Sequence, residues 1–170
     1  KGKLNLTDSL RQYFPELPYN GISIYQMLTH TSGLPDYEEA MNEKWDHSKI
    51  AFNNDMIVFL AKEKLPVLFA PATKWTYSNT AYALLASIVE KVSGQSFSEF
   101  TAQNIFQPLQ MNHTRIYNTR RSLKDTIANY GYGFVYNDSL KKHLMPDSVA
   151  DLKFVIYLDG IQGDGVVNSN

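Results

Sequence analysis

The triplet Tyr77-Ser78-Asn79 comes directly before an apolar run with helical spacing and is the strongest candidate for chemistry in this sequence. A phenol near a helix start can transfer a proton where nearby cations favour its anion, and the N-terminus of a helix concentrates positive partial charge. An asparagine amide there can hydrogen-bond and orient a substrate. The same triplet is also typical of a simple helix cap, since Ser78, Asn79 or Thr80 can each accept a hydrogen bond from an orphan amide of the first turn.

Other kinds of reactive site find little support in the composition. The sequence has no cysteine, which excludes disulfides, thiolate catalysis and Cys-ligated metal sites. Its four histidines, at 30, 47, 113 and 143, show neither an i, i+4 pair nor a His-Glu-x-x-His pattern, so we expect no metal site. We expect His30 instead to hydrogen-bond neighbouring backbone at a helix end.

Size and charge indicate one globular domain. The 170 residues are 44% hydrophobic, which is enough to build a core, and 16 basic against 17 acidic residues leave a net charge of -1. A nucleic acid or an anionic membrane is therefore not an expected partner. The longest apolar runs, Met56 to Ala61 and Ala81 to Val89, are far shorter than the roughly 20 residues of a membrane span.

The triplet must be positioned by helices, and the clearest predicted helix follows it, over residues 80–94. Its apolar stripe recurs at helical spacing, and Gly94 stands where a left-handed C-terminal residue is favoured. Two capping boxes, Ser23 with Gln26 and Ser96 with Glu99, each predict another helix start. The other helices are predicted over residues 6–14, capped by Thr7 or Asp8, over 23–30, over 53–65, capped by Asn53 or Asn54, and over 96–105.

The pattern changes after Met111. Residues 128–146 alternate aromatic residues with glycine around a turn signal at Asn137 to Ser139, which predicts a β-hairpin. Residues 154–160 and 163–167 are typical of short strand and turn segments. The sequence therefore predicts an α+β fold that is predominantly helical, mainly helical over 1–111 and with a β-hairpin and loops over 112–170.

Several ordered motifs together resemble one family. They are "GKLNLTDSLRQYFPELP", "ISIYQMLTHTSGLPDY", "PATKWTYSNTAYALLASIVEKVSG", "YGYGF" and "GDGVV". Taken in this order they resemble the serine β-lactamase and penicillin-binding-protein-like family, and within it the class C β-lactamase branch. The resemblance implies the helical subdomain of a β-lactamase/transpeptidase-like fold, belonging to a serine hydrolase that acts on β-lactams, D-amino-acid peptides or esters. It also implies no cofactor and a place in the periplasm or cell envelope.

The same resemblance implies site roles, with Tyr77 as a catalytic proton relay and Asn79 as a substrate-binding residue. The family's Ser-x-x-Lys nucleophile motif would precede Lys1, and its Lys/His-x-Gly strand would follow Asn170. One Ser-x-x-Lys match does occur, over Ser139–Lys142, but it lies in the predicted hairpin and we interpret it as coincidence.

We therefore expect one third of the site in this chain, and no hydrolysis by the segment alone. The alternative is a non-catalytic relative that binds cell-wall peptides or a protein partner.

The resemblance carries two further expectations. Ala72 follows Pro71 where the family usually has glycine. A turn with positive φ would cost free energy at this alanine, so we expect the loop to differ slightly from the family's. The family's helical region packs on a sheet that is built from sequence at both ends. We therefore expect exposed apolar surface on this segment, and self-association when it is isolated.

Overall fold

The computed structural model describes residues 2–116, 135–144, 157–165 and 167–169. Helices dominate this part of the chain and strands are few, so the predicted α+β, predominantly helical class is confirmed. The helices are α1 (Leu10–Tyr13), α2 (Ile24–Leu28), α3 (Tyr37–Lys44), α4 (Asn53–Glu63), α5 (Asn79–Ser93) and α6 (Phe97–Thr101), which runs into a π-helical turn over Ala102–Phe106.

Four short strands, β1 (Thr114–Ile116), β2 (Val135–Asn137), β3 (Lys142–Leu144) and β4 (Val167–Ser169), form two antiparallel pairs in the described residues. The pair β2 and β3 is the predicted hairpin, and the Asn137 side chain accepts the Leu140 amide in its turn at 2.9 Å. Residues 128–134 and 145–146 of that prediction, the "YGYGF" run included, lie outside the described residues, as do 154–156 and 166 of the two shorter predicted segments. The pair β1 and β4 was not predicted, because its strands are far apart in the chain and no turn signal joins them.

Helix α5 is the centre of the fold and contacts α2, α4 and α6. The predicted helix after the triplet is confirmed, and it ends at Gly94, whose φ of 74° satisfies the left-handed C-cap. None of the helices in the described ranges is both long and apolar enough to cross a membrane. The fully buried side chains around α5 come from α1, α2, α3 and α4 as well as from its own inner face: Leu10, Met27, Met41, Met56, Leu60, Leu84 and Ile88.

Two predicted caps are wrong, for the same physical reason. Helix α1 begins after Ser9, which forms a capping box with Gln12, while Asp8 accepts hydrogen bonds from Asn5 and Tyr13 instead. Helix α4 has Phe52 as its N-cap residue, and the Asp55 carboxylate accepts the Phe52 amide at 3.0 Å. In both cases the residue expected to cap has a competing partner.

Asn53, predicted as a cap, instead fixes a distant segment. Its Nδ2 donates to the carbonyls of Ala83 at 3.0 Å and Gln162 at 2.9 Å, and its Oδ1 accepts the Gln162 amide at 2.8 Å. Residues 157–165 are thereby held against α4 and α5. This contact brings the Gly163-Asp164-Gly165 loop to the side of α5.

Helix α3 was not predicted. Only Tyr37 and Met41 are fully buried among its eight residues, so the apolar stripe that identifies a helix in sequence is nearly missing. The available signal was Asp36 in front of Glu38 and Glu39. Asp36 is the N-cap and accepts the amides of Glu38 at 2.7 Å and Glu39 at 3.3 Å, and two acidic residues in a first turn favour a helix start.

Candidate active site at the start of helix α5

The triplet lies at the N-terminus of α5, and only one of its three side chains caps the helix. Ser78 is the N-cap, and its Oγ accepts the Ala81 amide at 3.1 Å. Of the three capping candidates in the sequence, the fold uses this one. The side chains of Tyr77 and Asn79, on either side of the cap, make other contacts.

His30 holds the triplet in place. Its Nδ1 accepts the backbone N–H of Ser78 at 3.1 Å, which requires the neutral ring with its proton on Nε2. The imidazole lies between two tyrosine rings, with centroid separations of 4.6 Å to Tyr77 and 4.9 Å to Tyr82. His30 thus does bond a backbone group, but the expectation of a neighbouring partner is wrong, because Ser78 lies 48 positions along the chain.

The loop over residues 67–77 positions Tyr77 beside His30, and main-chain hydrogen bonds join this loop to residues 30–33. The segment that contains His30 and the segment that contains the triplet are therefore adjacent in space. The three bonds run from Leu68 N to Gly33 O at 2.8 Å, from Ala72 N to Thr31 O at 2.9 Å and from Thr76 N to His30 O at 3.0 Å.

The fit between these two segments is tight. A Cβ on Gly33, which has φ 73°, would stand 2.2 Å from the carbonyl oxygen of Phe69. Ala72 has φ 65°, so the chain keeps a positive φ here with an alanine where glycine is favoured, and the backbone at this residue does not avoid the conformation as expected. The chain thus accepts backbone strain in the loop that carries Tyr77.

Tyr77 itself is open to solvent, with 60% of its surface exposed, beside Trp75 at 65%. Its hydroxyl makes no hydrogen bond to any residue in the described ranges. A phenol that is fixed by ring stacking, with its oxygen left available, can exchange a proton with a reactant.

Asn79 contacts helix α3. Its Nδ2 donates to Glu38 Oε1 at 3.2 Å. The two helix starts are tied together by the buried Thr80, whose hydroxyl donates to Pro35 O at 2.6 Å and accepts the Tyr37 amide at 3.0 Å. Asn79 is therefore fixed by the residues before and after it, Ser78 as the helix cap and Thr80 through its bonds to residues 35 and 37.

Three carboxyl groups gather beside Asn79, and sequence reasoning missed this cluster. The Tyr37 hydroxyl donates to Asp164 Oδ2 at 2.6 Å. Burial, together with the carboxylates of Asp36 and Asp164, raises the pKa of Glu38 to about 7. Burial also raises the pKa of Asp164, although the hydrogen bond from Tyr37 opposes this shift. Asp164 could have been noticed only as part of its Gly-Asp-Gly loop, because its neighbours here are about 125 residues away in sequence.

Metal ligation does not explain the cluster. Across the described ranges, no set of three or more His, Cys, Asp or Glu side chains is arranged to hold a metal ion. The acidic groups instead surround an amide and a phenol, which indicates hydrogen bonding and proton chemistry.

Comparison with known proteins places this arrangement in a class. The family model named Beta-lactamase matches residues 1–132. The chain belongs to the beta-lactamase family. It is 46% identical over 169 residues to Penicillin-binding protein 4* of Bacillus subtilis (strain 168), a match that covers 99% of this chain and 37% of that protein.

Solved structures agree with this assignment. A penicillin-binding protein from Bacillus halodurans superimposes with a TM-score of 0.76 at 25% identity, over 99% of this chain and 48% of that one. A D-amino acid amidase from Ochrobactrum anthropi SV3, complexed with L-phenylalanine amide, gives a TM-score of 0.71 at 25% identity, over 99% and 46%. The chain thus spans less than half the length of each of these relatives.

Proposed function

We propose that this chain, residues 1–170, is part of a β-lactamase-like serine hydrolase domain, mainly helical over 1–111 and with the β-hairpin and loops over 112–170. The observation that carries the proposal is the Tyr-Ser-Asn triplet at the N-terminus of α5, fixed by His30 through the Ser78 amide. Family membership and the penicillin-binding and amidase relatives support it.

The intact enzyme would form an acyl-enzyme on a serine and hydrolyse it. In this mechanism Tyr77, whose hydroxyl is exposed, reacts as its phenolate, which the cations of the complete site favour. The phenolate takes the proton of the attacking serine, and the resulting phenol gives it to the leaving group. Asn79 hydrogen-bonds the substrate and a lysine side chain that neighbours the serine. The serine, that lysine and the Lys/His-x-Gly strand come from sequence outside Lys1–Asn170, so the segment alone is inactive.

The substrates proposed are β-lactams, D-amino-acid peptides of the cell-wall type, or small esters. Acyl transfer of this kind uses backbone amides to stabilise the tetrahedral oxyanion and needs no cofactor. Such substrates place the whole protein in the periplasm or cell envelope.

The test is the rate at which the full-length protein is acylated by a fluorescent penicillin. Tyr77→Phe should slow acylation by about 100-fold or more, because it removes the proton relay and leaves the ring. Tyr25→Phe is the matched control, since Tyr25 is another exposed tyrosine, at 55%, on α2. Equal rates for wild type and Tyr77→Phe would overturn the role of Tyr77. No labelling of wild type by the penicillin or by an ester phosphonate would favour the non-catalytic binding relative.

A further inference from the structure

Glu38 and Asn79 meet through a rigid junction of two helix starts. Asp36 fixes the backbone of Glu38 by accepting its amide at 2.7 Å. Thr80 follows Asn79, and its hydroxyl donates to Pro35 O and accepts the Tyr37 amide. Pro35 and Tyr37 are the residues before and after Asp36. The 3.2 Å hydrogen bond from Asn79 Nδ2 to Glu38 Oε1 is therefore supported by the main chain on both helices.

The surroundings of the Glu38 carboxyl group disfavour its ionised form. The groups that face Glu38 are Asp36 on its own helix, Tyr37, Asp164 from the loop over 163–165, and Asn79 from α5. In the described part of the chain, Glu38 forms no ion pair with a lysine, arginine or histidine. A half-buried carboxylate among other carboxylates costs folding free energy, so its presence next to Asn79 points to a role in the site.

An ionised carboxylate can only accept hydrogen bonds, so it selects the nitrogen end of the Asn79 amide. The oxygen end, Oδ1, then accepts no hydrogen bond from any group in the described ranges and is left for a donor. In the proposed acyl-transfer site that donor is the ammonium group of the lysine. An amide turned the other way would present two further donors to this ammonium group.

We propose that Glu38 is a positioning residue of this enzyme, which holds Asn79 Nδ2 and so presents Asn79 Oδ1 to the lysine. The inference rests on the proposed function, because it names what orients a residue of that site. Glu38 touches neither the substrate nor the reacting atoms in this account.

The arrangement makes Asn79 sensitive to pH. Since the pKa of Glu38 is raised to about 7, its carboxyl group is protonated below that pH. A protonated carboxyl group can donate to Asn79 Oδ1 and release Nδ2, so the orientation is lost as the pH falls through about 7. Ionisation restores the orientation above that pH.

The experiment measures the second-order rate of acylation by a fluorescent penicillin in the full-length protein, as a function of pH. Above the Glu38 pKa, Glu38→Ala should slow acylation by about tenfold, because the amide of Asn79 is no longer fixed. Glu38→Gln resembles the protonated acid, because its side chain can both donate and accept hydrogen bonds. It should therefore show at every pH about the reduced rate that wild type shows below pH 7, without the acid limb that wild type shows near that pH.

Glu39→Gln is the matched control, since Glu39 is exposed and sits one residue further along the same first turn. It should retain the wild-type rate and pH profile. If Glu38→Ala and Glu38→Gln also match wild type at every pH, the positioning role is overturned. A uniform loss in Glu38→Ala with an unchanged pH profile would also contradict it, because that result indicates a structural role alone.

A second readout does not depend on activity. In the full-length protein labelled with ¹⁵N-asparagine, the Asn79 side-chain amide signal can be assigned by its loss in Asn79→Asp. It should shift with a midpoint near pH 7 in wild type and stay constant in Glu38→Gln. An Asn79 signal that does not respond to pH overturns the inference even if acylation is seen, whereas a protein that takes no penicillin but shows the shift contradicts only the proposed function.

Discussion

At the scale of single residues, His30 links two motifs that are far apart in sequence. Its Nδ1 is the partner of the Ser78 amide, and its ring separates Tyr77 from Tyr82. Its own backbone has φ 57°, a conformation that costs most residues free energy and that asparagine tolerates better. The position thus needs an acceptor, a flat ring and tolerance of positive φ at once.

We expect His30→Ala to lower the free energy of unfolding of the full-length protein by about 1–3 kcal/mol, because the buried Ser78 amide loses its partner. His30→Asn should cost clearly less, since its Oδ1 replaces Nδ1 as the acceptor and asparagine tolerates the backbone conformation. The measurement is the midpoint of urea unfolding. Two variants equal to each other and to wild type would show that the hydrogen bond contributes nothing.

Sequence reasoning reached some of these residues and missed others, for identifiable reasons. The helix start at Tyr77-Ser78-Asn79 was predictable, because a cap and an apolar stripe are both local signals. The Ser78 partner of His30 was not, because it depends on how the loop over 67–77 folds back. Glu38 was missed since the polar helix α3 has almost no apolar pattern, and the contact of Tyr37 with Asp164 joins residues 127 positions apart.

At the scale of elements, the loop before α5 decides where Tyr77 stands. Three main-chain hydrogen bonds attach this loop to residues 30–33. Its strained point is Ala72, which has φ 65° although the alanine led us to expect a different turn. The capping boxes of α2 and α6 were also predictable, since each needs only two residues three positions apart.

Ala72→Gly should stabilise the full-length protein by about 0.5–1 kcal/mol. Relief of the left-handed strain outweighs the extra backbone entropy of glycine in the unfolded chain. Ala70→Gly is the control, because Ala70 is exposed in the same loop and its φ is not positive, so it should be neutral or slightly destabilising. Thermal unfolding measures both, and a lower melting temperature for Ala72→Gly than for wild type would contradict the strain.

At the scale of the whole molecule, α5 is packed on several sides while the surface around Tyr77 stays apolar and open. Leu68, Trp75 and Tyr77, all in the loop before α5, are exposed by 58%, 65% and 60%, respectively. Exposed apolar side chains in one region can mark a contact surface. That sequence outside this chain covers them, and that the isolated segment self-associates, both stay predictions.

The overall class followed from the sequence, whereas the long-range connections did not. Helical periodicity and turn residues are local, and they were sufficient for α5 and for the hairpin of β2 and β3. The β1 and β4 pair and the anchoring of Gln162 by Asn53 bring together residues separated by 50 or more positions. No local pattern encodes such contacts, because they depend on the packing of the complete core.

The central claim is that this chain supplies Tyr77 and Asn79 to an acyl-transfer site whose serine lies outside it. The most direct test is to label the full-length protein with a penicillin and to locate the adduct by mass spectrometry of its peptides. We predict an adduct on a serine of a Ser-x-x-Lys motif that precedes Lys1, and none on the segment 1–170 expressed alone. An adduct on a serine within 1–170, or a full-length protein that is never acylated, would contradict the account.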